Sequence, residues 1–317
     1  MTWGIIGYGE IATSFIDGLI FVEEQRLCAI ASISKYQYLI SENKHTNAKI
    51  YSNYTDLLND SNIDIVYICT TNNLHKENVI AALRAGKNVL CEKPLAVCKS
   101  DVEEMVLEAQ KQNKFLMEGM WTRFLPAYQH FKTLLKSNTL GKVNFVRVDF
   151  GFYSNWGKER RLKNKDLYGG TLLDNADYNI FLCQDVFIDK PSKLSAFARK
   201  SETNVEDMCG VMLQYPTGAI AQLFSSFQQK TRQEALIYGE KGYIHLTEYW
   251  HGTLVELVID ENHKKWEFPF KRNGFEFEIM EVVNCIKNGR IESNIIPHKT
   301  SIDVAEIMDE IIKKTNS

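Results

Sequence analysis

Thr2-Trp3-Gly4-Ile5-Ile6-Gly7-Tyr8-Gly9-Glu10-Ile11-Ala12 decides the fold. Thr2–Ile6 is short and apolar and reads as a strand. A helix follows, with Ile11, Phe15, Ile16 and Leu19 on one face. Between them, Gly7 permits a tight turn and Gly9 lets a pyrophosphate approach the backbone. Ala12 is small enough for helix and strand to pack closely. The helix amino terminus offers unpaired N–H groups and the positive end of its dipole to phosphate. A bare glycine pattern is a weak signal. Placed after a strand and at the start of a helix, it predicts a nucleotide site rather than a structural turn alone.

Working outward, the first 118 residues alternate strand and helix. Leu27–Ser32, Ile63–Cys69, Asn88–Cys91 and Phe115–Met117 read as strands. Tyr54–Leu58, His75–Ala85 and Asp101–Gln112 read as helices, the second stopped by Gly86. Such alternation implies a parallel, doubly wound α/β sheet with right-handed crossovers. After about Gly119 the pattern changes. Val146, Val148, Phe150 and Phe152 alternate as in an antiparallel strand. Further strands are expected near 192–199, 205–215, 219–227, 234–239, 243–246, 254–259 and 264–268. A helix from about Leu173 to Val186 interrupts them, and two helices close the chain. The expected fold is an N-terminal Rossmann domain over 1–119 and an open-faced, mostly antiparallel sheet domain over 120–317. The last helix, about 300–314, is expected to return to the first domain. The exposed sheet face predicts a homo-oligomer, a dimer built sheet to sheet.

Composition narrows the function. The 317 residues are 44% hydrophobic and 24% charged, with 6 Pro and 18 Gly, which excludes disordered and collagen-like chains. A net charge of −3 supplies no basic field for nucleic acid. No run of about 18 apolar residues is present to span a bilayer. The first residues lack the basic leader and apolar stretch of a secreted chain, so a cytoplasmic location is expected. The seven cysteines are odd in number and show no Cys-x-x-Cys spacing. They read as small buried hydrophobes rather than metal ligands or disulfides, and no metal site is expected.

Two further segments carry chemistry. At the end of the second strand, Ala31-Ser32-Ile33-Ser34-Lys35 contains no acid to bond a ribose 2′-hydroxyl. Ser32, Ser34 and Lys35 suit a 2′-phosphate instead, which leans toward NADP over NAD. Cys91-Glu92-Lys93-Pro94 lies just past the carboxyl end of a buried strand, where ligands bind in open α/β sheets. A partly desolvated lysine there, beside a cationic ring, is suited to proton transfer. The alternative is a surface lysine at a strand end.

Taken together, these residues resemble the Gfo/Idh/MocA oxidoreductases, named for glucose–fructose oxidoreductase and inositol dehydrogenase. The resemblance rests on Gly7–Ala12, Thr70-Thr71-Asn72-Asn73-Leu74-His75 and Ala85-Gly86-Lys87-Asn88-Val89-Leu90-Cys91-Glu92-Lys93-Pro94-Leu95-Ala96. Met117–Pro126, Gly169–Tyr178 and Gly239-Glu240-Lys241-Gly242 are similar to the dihydrodiol and D-xylose dehydrogenase branch. The resemblance runs, in order, over nearly the whole chain. It implies a nicotinamide cofactor and hydride transfer at a hydroxyl-bearing carbon of a sugar, cyclic polyol or trans-dihydrodiol. It makes Lys93 the catalytic lysine, Tyr178 the acid/base and Asp174 the aspartate one helical turn earlier. Their i, i+4 spacing puts Asp174 and Tyr178 on one helix face.

The implied cofactor contacts are Gly7, Gly9, Glu10, Ile11, Ala12, Thr70, Thr71, Asn72, Asn73, His75, Glu92 and Lys93, together with Ser32, Ser34 and Lys35. Trp121, Arg123 and Phe150 join Asp174 and Tyr178 as substrate contacts, with Trp250 and Phe275 as weaker wall candidates. The run Lys158–Asp166 reads as a solvated loop, or as a lid that brings Arg160 or Arg161 to substrate or phosphate. The chain departs from the family pattern at Thr71 (often Pro), Tyr168 (often a third Gly), Ala176 (Gly in the branch) and Ile33 (often Arg in NADP users). Two other functions use the same fold: a nicotinamide-binding sensor without turnover, and a reductase of a non-sugar carbonyl or imine. The presence of Lys93, Asp174 and Tyr178 together favours an enzyme over a sensor. The polar Asp174/Tyr178 pair favours a hydroxylated substrate.

Overall fold

A computed structural model describes residues 1–42, 45 and 47–316. The chain packs as two compact units. The first comprises Met1–Ala96, Ser100–Trp121 and Phe270–Ser301; the second comprises Val97–Lys99, Thr122–Pro269 and Ile302–Ser317. The sequence places a single boundary at 119/120. In the structure, residues 270–301 group with the first unit and residues 302–317 with the second.

The first unit holds six strands: β1 (Thr2–Ile6), β2 (Arg26–Ala31), β3 (Lys49–Tyr51), β4 (Ile65–Ile68), β5 (Asn88–Glu92) and β6 (Leu116–Gly119). All pairings are parallel, in the order β3-β2-β1-β4-β5-β6. That order reverses beside β1, which creates the switch point where doubly wound sheets bind dinucleotides. Ile6 pairs with Ala31 on one side and Ile68 on the other, so three strand ends are level there. The helices are α1 (Glu10–Ile20), α2 (Tyr36–Glu42), α3 (Tyr54–Leu58), α4 (His75–Arg84) and α5 (Lys99–Gln112). In α1, Ala12, Phe15, Ile16, Gly18 and Leu19 are buried, whereas Ile11 is 38% exposed. The apolar face therefore begins at Ala12, and Ile11 sits at the rim of the glycine turn instead of in the core.

The second unit begins with α6 (Pro126–Lys136) and continues with β7 (Val143–Gly151), α7 (Asp177–Val186), β8 (Lys193–Lys200), β9 (Glu206–Gln214), β10 (Ile220–Ser226), β11 (Ala235–Gly239), β12 (Gly242–Leu246), β13 (Leu254–Ile259) and β14 (Asn262–Glu267). The strands form one sheet ordered β14-β13-β12-β11-β7-β10-β9-β8. Only β7 and β10 run parallel; the other pairings are antiparallel. One face buries Val146, Val148 and Phe150 beside Ala221, Leu223 and Ser225. The helical stretch 172–186 packs on that face.

Two helices complete the chain. α8 (Phe275–Lys287) packs against α1 in the first unit, where a Cβ on Gly18 would come within 2.8 Å of the Phe275 side chain. α9 (His298–Thr315) buries Val304, Ile307, Met308 and Ile311. Ile302, Ala305 and Ile312 flank that stripe and are half-buried. All seven cysteines are free, and five are buried. Among the described residues, no helix is long and apolar enough to cross a membrane.

Candidate active site

In the first unit the chemistry gathers at the carboxyl ends of β1, β4 and β5. Gly7 has φ +97°, and a Cβ there would lie 2.7 Å from the Cys69 carbonyl oxygen. Only glycine suits both the angle and the space. Gly9 precedes α1 in an extended conformation without a side-chain cap, and a Cβ on it would meet nothing within 4 Å. The protein's own packing therefore does not demand a glycine at position 9, whereas a pyrophosphate brought against the backbone does. Ala12 is fully buried behind this turn. The N–H groups of Glu10, Ile11 and Ala12 open the helix beside the open space, and the cradle fits a dinucleotide pyrophosphate.

Beyond β2, Ser32 is buried and its hydroxyl accepts from the Lys35 N–H at 3.2 Å, closing the turn into α2. Ser34 and Lys35 are exposed, with the Lys35 ammonium 5.8 Å from the Tyr38 ring centre. Tyr8 and His45 join by a hydrogen bond of 2.9 Å, a contact that sequence reading missed because 37 residues separate them.

After β4 and β5, one histidine ties two loops. His75 is buried and reaches the Pro94 carbonyl with Nδ1 at 2.9 Å and the Thr70 carbonyl with Nε2 at 3.2 Å. It thereby fixes Thr70 relative to the Lys93–Pro94 peptide, which is cis. Thr71 donates to Asn73 at 2.6 Å, Asn72 is buried, and Lys93 is half-buried. Beneath Lys93, Tyr67 donates its O–H to Glu92 at 2.5 Å, the Lys93 N–H reaches the other Glu92 oxygen at 3.3 Å, and the Leu95 N–H donates to Glu118 at 2.9 Å. Trp121 stacks on Phe275 at 4.8 Å.

In the second unit, Asp174 lies in a π-helical turn, Leu172–Ala176, that runs directly into α7 and Tyr178. The sequence anticipates an unbroken α-helix here. The wider π turn re-aims side chains, and such turns recur at functional sites. Two asparagines hold this stretch to the sheet. Asn175 donates to the Phe150 carbonyl at 2.9 Å, and Asn179 donates to Ser225 at 2.9 Å while accepting from Tyr249 at 2.5 Å. Burial pushes the Tyr249 phenol well above its usual range, so it remains a neutral donor.

Tyr178 is 8% exposed, with its ring edge-on to Phe150 at 5.4 Å and to Trp250 at 6.3 Å. Phe150 and Trp250 stack at 5.0 Å, and His251 stacks on Trp250 at 3.8 Å. Burial lowers the His251 pKa and favours a neutral ring. Gln233 fixes Trp250 by accepting from its Nε1–H at 2.9 Å.

Arg161, of the charged run, donates to Asp174 at 2.9 Å, while Arg160 lies over the Trp156 ring. Tyr168 has φ 53° and ψ 47°, the left-handed region, which accounts for the preference for glycine there. Arg123 was expected at the substrate. It is only 5% exposed and donates at 2.5 Å to Asp185, which also receives Tyr128 at 2.9 Å and Lys132. The carboxylate lies near the end of α7, so Arg123 anchors the helix that bears Tyr178. This role was not foreseen from the sequence.

A Rossmann unit with an open pyrophosphate cradle, joined in one chain to a large open-faced sheet, defines a class: nicotinamide-dependent oxidoreductases. Comparison with known proteins makes it particular. Residues 1–120 match the oxidoreductase family model with an NAD-binding Rossmann fold, and residues 128–245 match the GFO/IDH/MocA C-terminal domain. Trans-1,2-dihydrobenzene-1,2-diol dehydrogenase of Bos taurus is 34% identical over 326 residues, covering 99% of this chain and 96% of the relative. The human enzyme of that name is also 34% identical, over 325 residues, with the same coverage. Among solved structures, aldose-aldose oxidoreductase from Caulobacter crescentus superposes with a TM-score of 0.88 at 24% identity, covering 100% of this chain and 97% of the other. The 3-ketoreductase KijD10 from Actinomadura kijaniata gives 0.88 at 22%, covering 99% and 98%. The chain belongs to the Gfo/Idh/MocA oxidoreductase family and is an NAD(P)-dependent dehydrogenase that moves a hydride between nicotinamide and a hydroxyl-bearing carbon.

Proposed function

We propose that the protein oxidises, reversibly, a secondary hydroxyl of a cyclic substrate, a trans-dihydrodiol before a sugar or polyol, with Lys93 and Tyr178 as the reacting side chains. The observation that carries this reading is the setting of Tyr178: its phenol lies among the rings of Phe150 and Trp250, with the Asp174 carboxylate on the preceding turn. Aromatic rings suit a flat, unsaturated ring, and the carboxylate suits a second hydroxyl. The relatives named as trans-1,2-dihydrobenzene-1,2-diol dehydrogenases point the same way.

The nicotinamide ring, when bound, supplies the hydride acceptor. Lys93 donates a hydrogen bond to the substrate oxygen and stabilises the alkoxide that develops as the C–H bond breaks. The hydroxyl proton passes to Tyr178 or to Lys93. Asp174 orients the neighbouring hydroxyl, with Arg161 fixing its carboxylate. Gly7, Gly9, Glu10, Ile11 and Ala12 hold the pyrophosphate. Thr70, Thr71, Asn72, Asn73, His75 and Glu92 border the nicotinamide ribose.

NADP is favoured over NAD, because no acid stands between Arg26 and Ser41 and the exposed Ser34 and Lys35 offer donors to a 2′-phosphate. The dimer belongs to the same reading. Phe197 is 80% exposed, and register puts it on one sheet face with Gly210 and Phe224, and with Met212 two residues further along. A second copy would cover that apolar face. The free cysteines suit a reducing compartment such as the cytoplasm.

The test is a panel of trans-dihydrodiols, pentoses, hexoses and inositols, followed by coenzyme absorbance with NAD and with NADP. A higher kcat/KM for dihydrodiols with NADP is expected. Preference for a sugar would replace the substrate class, and turnover of none would return the sensor reading. Light scattering of Phe197→Asp against the wild type tests the dimer.

A further inference from the structure

Glu278 is fully buried on α8, and among the described residues neither of its carboxylate oxygens has a hydrogen-bond partner. Phe275, one turn earlier on the same buried face, meets Phe15 edge-on at 6.1 Å, and Phe15 stacks on Tyr67 of β4 at 3.7 Å. The titratable groups that act on Glu278 are Glu92 and Tyr67, and Cys69, Cys91 and Glu118 stand around Glu92. Tyr67, Cys69 and Cys91 are buried and held neutral by that burial, each pushed well above its usual range. Glu92 differs in kind. It accepts the Tyr67 O–H and the Lys93 N–H, one on each oxygen, and both bonds favour an ionised carboxylate. Two carboxylates sharing a dry space do not both ionise. The one that accepts donors keeps the charge; the one without them keeps the proton.

We infer that Glu278 and Glu92 are a buried pair carrying one proton, held on Glu278, and that Glu278 is a positioning residue for the loop bearing Lys93. The reading of Lys93 as the reacting lysine underlies the catalytic half of this inference. A neutral Glu278 leaves Glu92 free to hold the Lys93 backbone. Loss of its proton puts a second negative charge beneath the loop and drives Glu92 away from Tyr67 and the Lys93 N–H. The physical cause is burial first and the Glu92 charge second.

The test compares Glu278→Gln with Glu92→Gln, because glutamine imitates a protonated acid and not an ionised one. Without coenzyme, the thermal midpoint of the wild type should fall relative to that of Glu278→Gln as pH rises above the ordinary carboxylate range, and Glu92→Gln should lie below the wild type throughout. In saturating coenzyme and substrate, the ratio of kcat at about pH 10 to that at pH 7 should rise roughly threefold in Glu278→Gln relative to the wild type. Infrared spectra of the wild type at neutral pH should show the C=O stretch of a protonated carboxylic acid, absent from Glu278→Gln. Absence of that band in the wild type, or its persistence in Glu278→Gln, overturns the proton assignment. An unchanged kcat ratio overturns the positioning role. Lys93→Met, with turnover lowered at every pH, tests the underlying reading separately, because the midpoints and the infrared band do not depend on what Lys93 does.

Discussion

Around Lys93 the fixing contacts are polar. Glu92 takes the Lys93 N–H, Glu118 takes the Leu95 N–H, and His75 reaches the Pro94 carbonyl. Around Tyr178 they are rings: Phe150 and Trp250 flank the phenol edge-on, and asparagines pin the backbone of the helix to the sheet. Hydrogen bonds to charged groups contribute about 1.5–3 kcal/mol each and depend on which groups are ionised. Aromatic pairs contribute about 0.5–1.5 kcal/mol each and are indifferent to pH. The proposed reacting lysine is therefore held by a charge-sensitive frame. The proposed reacting tyrosine is held by shape.

That contrast can be broken most sharply at the lysine. Lys93→Met should lower kcat by about 10²–10⁴ while coenzyme affinity, read by fluorescence titration, changes little. Near wild-type turnover would remove the lysine from the chemistry. Tyr178→Phe comes next. It keeps the ring packing and loses only the O–H, so kcat should fall about 10²-fold with the thermal midpoint nearly unmoved. A large loss of stability instead would mean that the hydroxyl is structural. Trp250→Phe sharpens the ring side of the comparison. The stack on Phe150 survives, the bond to Gln233 is lost, and kcat/KM should change by roughly threefold or less. The smallest effect is expected at Tyr168→Gly. Relieving a left-handed tyrosine gains, and the freer glycine loses, for a net stabilisation of about 0.5 kcal/mol in urea titration.

The pH dependence follows the polar side. Folding raises the Glu278 pKa above that of the unfolded chain. Its contribution to stability is therefore complete below the ordinary carboxylate range and is lost as pH climbs toward the raised value.

Much of this arrangement was legible in the chain itself. Gly7, Gly9 and Ala12 announced the cradle because backbone geometry leaves few residue choices there. The alternation of strands and helices announced the parallel sheet. Other features depend on contacts between distant segments, which no local pattern carries. α2 and β3 are short and lack strong periodicity, and they were missed; α6 was missed although Ala127, Tyr128 and Phe131 mark an apolar face. The π turn was missed because its sequence reads equally well as α-helix. Arg123 looked like a substrate contact because a motif places it near the site, yet its partner, Asp185, is 62 residues away. Glu278 did leave a signal: it stands among Phe275, Ile279 and Val282 on the buried face of α8. A carboxylate on an apolar helix face asks for an explanation.

The return of residues 270–301 to the first unit also shapes how the molecule is made. Gly18 of α1 waits for Phe275, Asp17 for Arg272, and the Ser14 carbonyl for Asn273. None of these partners exists until the ribosome has passed through the whole intervening sheet. Arg272 follows Asp17 by 255 residues, and at about 5–20 residues per second that is a delay of about 13 to 50 seconds. During it the nascent coenzyme-binding half carries an unfinished flank, the face of α1 that α8 later covers.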